Sequence, residues 1–155
     1  MNQNSAVWQF LHNDVAIATF FGWFIAQTIK VVIGIIREKR FNFKWFVGTG
    51  GMPSSHAAGV TAMVTGVGLY VGTGTPLFGM ALLFAIIVIS DARNVRWSIG
   101  KQAEILNTIM DDIYWKKRIQ EQKLKELIGH TPIQVIMGII TGLVVAFVIH
   151  FFYNN

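Results

Sequence analysis

Apolar runs alternate with shorter polar segments along most of the chain, and four of these runs are candidates for membrane-spanning helices. The four runs are Val15 to Ile36, Ser55 to Val71, Pro76 to Ile89 and Pro132 to Tyr153. About 20 apolar residues cross a hydrocarbon core roughly 30 Å thick, so the second and third runs are short for a full crossing. The Gly72-Thr73-Gly74-Thr75 segment between them is typical of a tight turn. The pattern predicts an all-α, integral membrane bundle of about four spanning helices.

Small residues recur in the second and fourth runs. They are Ala57, Ala58, Gly59, Ala62, Gly66 and Gly68 in the second run, and Gly138, Gly142 and Ala146 in the fourth. Helices in a bilayer associate through close van der Waals packing, which small side chains permit. We therefore expect these two helices to pack closely within a compact bundle.

One long polar segment, roughly Asp91 to Gly129, separates the third run from the fourth. Apolar residues recur there at helical spacing (Ile99, Ala103, Leu106, Met110, Ile113), which predicts an amphipathic helix along the membrane surface. A second helical stretch, Tyr114 to Ile128, contains the basic run Trp115-Lys116-Lys117-Arg118. That run suits anionic headgroups, and a solvated charged face is an equally good interpretation. We expect a helical insertion here, within a single domain of residues 1–155.

Composition supports a membrane protein and removes several chemistries. Of the 155 residues 53% are hydrophobic and 14% charged, and the mean hydropathy is +0.49, which excludes an ordinary soluble domain. The chain has no cysteine, so disulfides, thiol nucleophiles and cysteine-based metal sites are excluded. The opening Met1-Asn2-Gln3-Asn4 lacks the basic start of a secretory signal peptide, so we expect the first run to remain as a helix.

All thirteen lysines and arginines fall on one side of the predicted bundle, in the segments Lys30 to Lys44 and Arg93 to Lys125. Cytoplasmic flanks of spanning helices carry the excess of positive residues. The charge pattern therefore predicts a cell-membrane protein whose basic face is cytoplasmic and whose two termini lie outside.

The residues with candidate chemistry lie at that same basic edge. The first two are Lys30 and Arg37, with six residues between them. The others are the segment Pro53-Ser54-Ser55-His56, the charged residues Asp91, Arg93 and Arg96, and the segment Gly129-His130-Thr131-Pro132. Phosphoryl transfer needs a nucleophile, a proton donor for the leaving oxygen and fixed positive charge. Two histidines and several cations meet these needs without a metal or another cofactor. Ser54 and the amides near Ser55, at the positive start of a helix, could add hydrogen bonds to a phosphate.

These motifs resemble those of the type 2 phosphatidic acid phosphatase superfamily, which includes vanadium haloperoxidases. Pro53-Ser54-Ser55-His56 is similar to its Pro-Ser-Gly-His motif, Lys30 and Arg37 match its opening Lys-x6-Arg spacing, and His130-Thr131-Pro132 looks like its final motif. The chain is most similar to the small, divergent branch of the superfamily, in which Gly-Met-Pro-Ser-Ser-His and Gly-His-Thr-Pro are typical. The resemblance spans Lys30 to Gly142.

The resemblance implies a role for each matching residue. His130 would be the nucleophile that forms a phosphohistidine, and His56 the general acid for the leaving alcohol. Phosphate would be held by the basic and hydroxyl side chains Lys30, Arg37, Ser54, Ser55 and either Arg93 or Arg96, of which we favour Arg96 because the divergent branch tends to have Val-Arg there.

The chain departs from the superfamily pattern at four positions. Glu38 replaces a proline, Ser55 replaces a glycine, and Leu124 stands where an arginine is usual. Gln134 stands where an acid would orient His130, and it can accept a hydrogen bond but carries no charge. We assign an orienting role to Gln134, with Asp91 or Glu104 as possible replacements for the acid.

The leading hypothesis is a membrane phosphatase that hydrolyses a lipid phosphomonoester or diphosphate at the cytoplasmic leaflet. Phosphatidic acid, phosphatidylglycerol phosphate and polyprenyl phosphates are all compatible substrates, and a homodimer is plausible; no nucleic-acid partner is expected. The alternative is a non-catalytic membrane protein that binds anionic lipid headgroups or acts as an interaction partner. A vanadate-dependent haloperoxidase is a third option.

Each motif also has a purely structural interpretation. Ser54 can be a helix cap, Lys30 can extend along its helix towards the interface, and Arg93 and Arg96 can be topology determinants. His12 and His150 lie towards the opposite face, where we expect packing or interfacial roles.

Overall fold

The computed structural model describes residues 5–39, 51–114 and 130–153, without the side chains at 94–101, 103, 104, 108, 111–114 and 153. The described residues form five helices and no strand. The helices are α1 (Ala6–Leu11), α2 (Asp14–Glu38), α3 (Ser55–Tyr70), α4 (Pro76–Tyr114) and α5 (Pro132–Tyr153). The all-helical fold predicted from the sequence is confirmed.

α3 is the central helix of the bundle, because it packs against α2, α4 and α5. Eight of its 16 residues are buried, mostly the predicted small ones. At about 1.5 Å per residue α3 is roughly 24 Å long, which is shorter than a hydrocarbon core of about 30 Å. α3 is thus a short helix, half of whose residues are buried by its neighbours.

Glycines allow α2 and α5 to approach the backbone of α3. A Cβ atom at Gly138 would collide with the carbonyl oxygen of Ser54, and one at Gly142 with that of Ala58. On α2, a Cβ at Gly22 would lie 2.7 Å from the Cβ of Ala62. The predicted close packing of the second and fourth runs is confirmed, and Gly22 extends it to the first.

Three of the described helices contain segments long and apolar enough to cross a membrane, namely Asp14–Glu38, Pro76–Arg93 and Pro132–Phe152. α3 has 16 residues and falls below that length. The chain is therefore a helical membrane bundle, and a fourth crossing by α3 stays a prediction.

α4 is longer than the sequence pattern indicated. We expected one helix to end near Ile89 and a separate amphipathic helix to follow Asp91, but the helix continues to Tyr114 over 39 residues. No proline interrupts this stretch, and charged residues do not break a helix. At about 1.5 Å per residue the helix is roughly 58 Å long and extends beyond the apolar segment. The expected second stretch at 115–128, with its basic run, lies outside the described residues.

Candidate functional site

α3, α4 and α5 meet at one end of the bundle, which we call the site end. The peptide N–H of Ser54, just before α3, donates to the carbonyl oxygen of Gln134 in α5 at 2.9 Å. The peptide N–H of His130, just before α5, donates to the carbonyl oxygen of Ala92 in α4 at 3.4 Å. Backbone hydrogen bonds thus join the two histidine-containing segments to the bundle at the same end.

Lys30 brings α2 to the site end as well. Its side chain is only 7% exposed, and its Nζ donates to Oε1 of Gln27 at 2.9 Å. The aliphatic part of Lys30 passes over Gly51, where an added Cβ would lie 2.9 Å from the lysine Cγ. Gly51 also has a φ of +83°, which disfavours any larger residue. The ammonium group is therefore held next to the segment that leads into α3, rather than extended to the surface.

Arg37 follows Lys30 by two turns of α2 and is exposed. Seven residues bring a side chain back to nearly the same helix face, about 10 Å further along the axis. The two cations of the opening motif therefore share one face of α2, with the first buried and the second exposed at its end.

His56 and His130 form a pair across the starts of α3 and α5. Their ring centroids are 6.5 Å apart and the ring planes are inclined by 54°. His56 is exposed in the first turn of α3, whereas His130 is only 5% exposed. At this separation both imidazoles can contact one tetrahedral anion.

Gln134 holds the His130 side chain. Its Oε1 lies 3.1 Å from His130 Nδ1 and also accepts the peptide N–H of Thr131 at 3.1 Å. The peptide N–H of Gln134 donates to Thr131 Oγ1 at 3.4 Å. Reciprocal bonds of this kind, with Pro132 as the first helical residue, form a capping box at the start of α5. The Thr131-x-x-Gln134 spacing carries this signal in the sequence, in addition to the orienting role expected of Gln134.

Ser54 and Ser55 lie within the packed interior of the site end. Ser54 is fully buried, and its Oγ accepts the peptide N–H of Ala57 at 3.4 Å, so the predicted cap on α3 is present. Ser55 is 4% exposed. Ser54 therefore joins α3 to α5, and contact of either hydroxyl with phosphate stays a prediction.

The acidic and basic candidates on α4 flank Ala92, whose carbonyl receives His130 N–H. Asp91 and Arg93 are both exposed. Arg96 lies one helical turn beyond Ala92 within α4, and its side chain, like that of Glu104, is outside the described set. Among the described side chains it is Gln134, rather than Asp91, that contacts His130 Nδ1.

A cavity of about 380 Å³ lies beside His56, in the apolar part of the bundle. It lies between α2, α3 and α4, and its exposed lining atoms are apolar. The lining residues are Thr19, Phe20, Trp23, Ser55, His56, Gly59, Val60, Phe84 and Val88. A larger cavity of about 700 Å³ between α2 and α5 contains none of the predicted site residues. Of these two cavities in the described part of the chain, the smaller is the one that includes predicted site residues, Ser55 and His56, in its lining.

The other two histidines pack against aromatic rings away from the pair. His12 stacks on Trp8 with a centroid distance of 4.0 Å, and His150 meets Tyr70 edge to face at 4.9 Å. These packing contacts agree with the sequence prediction. In the described part of the chain, no group of three or more His, Asp or Glu side chains is placed to hold a metal ion.

Fold and site together define a helical membrane protein with a histidine pair at one end of the bundle. The chain belongs to the Divergent PAP2 family, whose sequence profile matches residues 11–145. It is similar to the uncharacterized membrane protein YuiD of Bacillus subtilis (strain 168), with 38% identity over 139 residues that cover 83% of this chain and 88% of that protein. No solved structure matches the chain. The family resemblance drawn from the motifs is confirmed.

Proposed function

We propose that the protein is a membrane phosphatase that hydrolyses a lipid phosphomonoester or diphosphate through a phosphohistidine at His130. The observation that carries this proposal is the His56–His130 pair, with ring centroids 6.5 Å apart at the end of the bundle that also holds the buried Lys30. Membership of the Divergent PAP2 family is consistent with it.

Two displacements at phosphorus would complete the reaction. In the first, Nε2 of His130 attacks phosphorus, the bond to the ester oxygen breaks, and His56 gives its proton to that leaving oxygen. In the second, His56 takes a proton from water, the water oxygen attacks phosphorus, and the bond to His130 breaks. Inorganic phosphate leaves, and both histidines return to their starting forms.

Positive charge at the site end would stabilise the equatorial oxygens of the transition state. Lys30 is the central candidate, because a buried ammonium acts in a low-dielectric environment where its interaction with an anion is strong. Arg37 and an arginine of α4, Arg96 in preference to Arg93, are the other candidates. An anion here would also help to offset the free-energy cost of burying a lysine in a membrane protein.

The cavity beside His56 supports a lipid as the substrate. Its apolar lining begins at the proposed general acid and extends between α2 and α4 to Phe20. A substrate whose phosphate lies between the imidazoles could place the first part of its hydrocarbon chain there. A volume of about 380 Å³ is within the range of small-molecule sites.

The charge distribution supports a cytoplasmic site. In the sequence, all thirteen lysines and arginines fall within Lys30 to Lys44 or Arg93 to Lys125, and under the positive-inside rule these segments would face the cytoplasm. Substrate lipids would then be drawn from the inner leaflet, and both termini would lie outside.

Phosphate release from the detergent-solubilised protein tests the proposal. The panel comprises phosphatidic acid, phosphatidylglycerol phosphate and polyprenyl mono- and diphosphates. We expect release from at least one lipid, loss of release in His130→Ala and His56→Ala, and retention in His150→Ala, a control at the other end of α5. Equal phosphate release by wild type and His130→Ala would contradict the proposed phosphatase function.

Gln134 favours a second candidate function, a non-catalytic protein that binds anionic lipid headgroups. A neutral amide supplies no charge to stabilise the imidazolium form of His130, which the usual acid would do. In that case the panel would give no release, and lipid phosphates would still bind in a way that depends on Lys30.

A further inference from the structure

The side-chain oxygen of Gln134 faces two nitrogens at once. His130 Nδ1 and the peptide nitrogen of Thr131 each lie 3.1 Å from Oε1. A carbonyl oxygen has two lone pairs and can accept both hydrogen bonds. Together the two contacts determine which atom of each group carries a hydrogen.

The Thr131 peptide group determines the orientation of the glutamine amide. A peptide N–H can only donate, so the atom of Gln134 that faces it must be the acceptor oxygen and not the NH₂ group. The reciprocal bond from Gln134 N–H to Thr131 Oγ1, at 3.4 Å, holds the same side chain over the helix start. The oxygen is therefore directed towards His130 by the helix cap itself.

The orientation of Gln134 in turn determines the histidine tautomer. Because Oε1 can only accept, Nδ1 of His130 must carry the hydrogen, and a neutral imidazole protonated at Nδ1 has its lone pair at Nε2. We propose that Gln134 is a positioning residue that uses the capping box of α5 to hold His130 in the Nδ1–H tautomer. This proposal rests on the proposed function in one respect only, namely that Nε2 is the atom that attacks phosphorus.

An uncharged positioning residue does part of what a carboxylate does. Either group accepts from Nδ1–H and orients the ring, but only a carboxylate also stabilises the imidazolium form by charge. Gln134 would therefore select the nucleophilic tautomer of His130 without adding a charge next to the ring. Gln134 would thus keep the ring-orienting role of the usual acid and lose only the contribution of its charge.

Nitrogen-15 NMR of histidine-labelled protein in detergent micelles tests the proposal without relying on activity. The two neutral tautomers differ in the ¹⁵N shifts of Nδ1 and Nε2, and the His130 signals are identified by their absence from His130→Ala. At a pH where the ring is neutral, we expect wild-type His130 to be protonated at Nδ1. We expect Gln134→Leu to lose this tautomer as its main form, and Gln134→Glu, which keeps an acceptor oxygen, to retain it.

Thr131→Val separates tautomer selection from helix capping. The valine removes Oγ1, and with it one bond of the capping box, but it keeps the peptide N–H that orients Oε1. We expect this variant to lose thermal stability and to retain the Nδ1–H tautomer. If Gln134→Leu does not fold, the wild-type spectrum still decides. His130 protonated at Nε2 in wild type, or unchanged in Gln134→Leu, would overturn the proposal.

The same samples distinguish failure of this inference from failure of the proposed function. If the enzyme is active, kcat should fall on the order of 10²-fold in Gln134→Leu, with little change in KM. If His130 is protonated at Nδ1 but the protein releases no phosphate, the role of Gln134 is supported and the proposed phosphatase function is contradicted. If the protein releases phosphate but the resting His130 is protonated at Nε2, the phosphatase function is supported and the role of Gln134 is contradicted.

Discussion

The peptide N–H of Ser54 donates to the carbonyl oxygen of Gln134 at 2.9 Å, and this bond joins the two segments that contain the histidine pair. Ser54 lies two residues before His56, and Gln134 lies four residues after His130. Gly138 makes the contact possible, since a side chain there would collide with the Ser54 carbonyl oxygen. The separation of the two imidazoles is therefore set by backbone packing between α3 and α5.

Gly138→Ala should destabilise the protein and lower activity together. The added methyl has no room against Ser54 and Ala57, and overpacking of this kind costs about 1–3 kcal/mol. Thermal unfolding in detergent measures the stability. The control is Gly79→Ala on α4, where nothing lies within 4 Å of the added Cβ. Its midpoint temperature of unfolding should be equal to that of wild type or higher. Equal midpoints for the two alanine variants would contradict the packing described here.

Lys30→Met should reduce kcat/KM by roughly 10²–10³-fold, because it removes a buried cation near the proposed phosphate. Methionine keeps most of the aliphatic stem that passes over Gly51, so we expect the fold to persist. The matched control is Lys39→Asn, which removes an exposed cation from the end of the same helix at a position with φ of 51°, where asparagine is tolerated. Phosphate release from the best substrate measures both variants, and equal losses would show that Lys30 acts only through net charge.

Arg96→Ala should lower activity more than Arg93→Ala. Ala92 is buried and receives the hydrogen bond from His130, and residue 96 lies one turn further on, so helical spacing puts it near the same face of α4. Arg93 is exposed and lies about 100° around the helix. The ratio of kcat/KM for the two variants measures the difference. A larger loss in Arg93→Ala would assign the phosphate-binding role to that residue.

Val88→Trp should weaken activity on long-chain lipid phosphates and spare short-chain, water-soluble phosphate esters. Val88 lines the cavity beside His56, and the indole would occupy the space proposed for the hydrocarbon chain. Leu83→Trp is the control, because Leu83 is 60% exposed on the same helix and does not line that cavity. The measurement is KM as a function of chain length. An equal effect on short and long substrates would show that the cavity does not hold the chain.

The sequence predicted the elements whose signals are local and repetitive. Apolar runs and small-residue spacing predicted the four principal helices and the packing of α3 on α5, because membrane helices need long apolar segments and close contact. The C-terminal end of α4, at Tyr114, was not predictable in the same way. Polarity changes near Asp91 because the helix leaves its apolar segment, and a change of environment does not end the hydrogen-bond ladder of a helix.

At the site, sequence order and helix direction were enough to predict that His56 and His130 lie at the same end of the bundle. The contacts that hold them there were not predictable from residue types alone. The position of Lys30 over Gly51 depends on a left-handed backbone conformation, and the dual use of Gln134 depends on the exact approach of Thr131 and His130. The two helix caps are the exceptions, because Ser54 before α3 and the Thr131-x-x-Gln134 spacing at the start of α5 are both capping signals in the sequence.

A structure of the protein with bound orthovanadate would show whether His56 and His130 act on one phosphoryl group. Vanadate adopts the five-coordinate geometry of the phosphoryl-transfer transition state. We expect vanadium bonded to Nε2 of His130, with His56 in hydrogen-bond contact with the opposite apical oxygen. Vanadate bound to only one of the two rings, or bound elsewhere while the space between them is vacant, would contradict it.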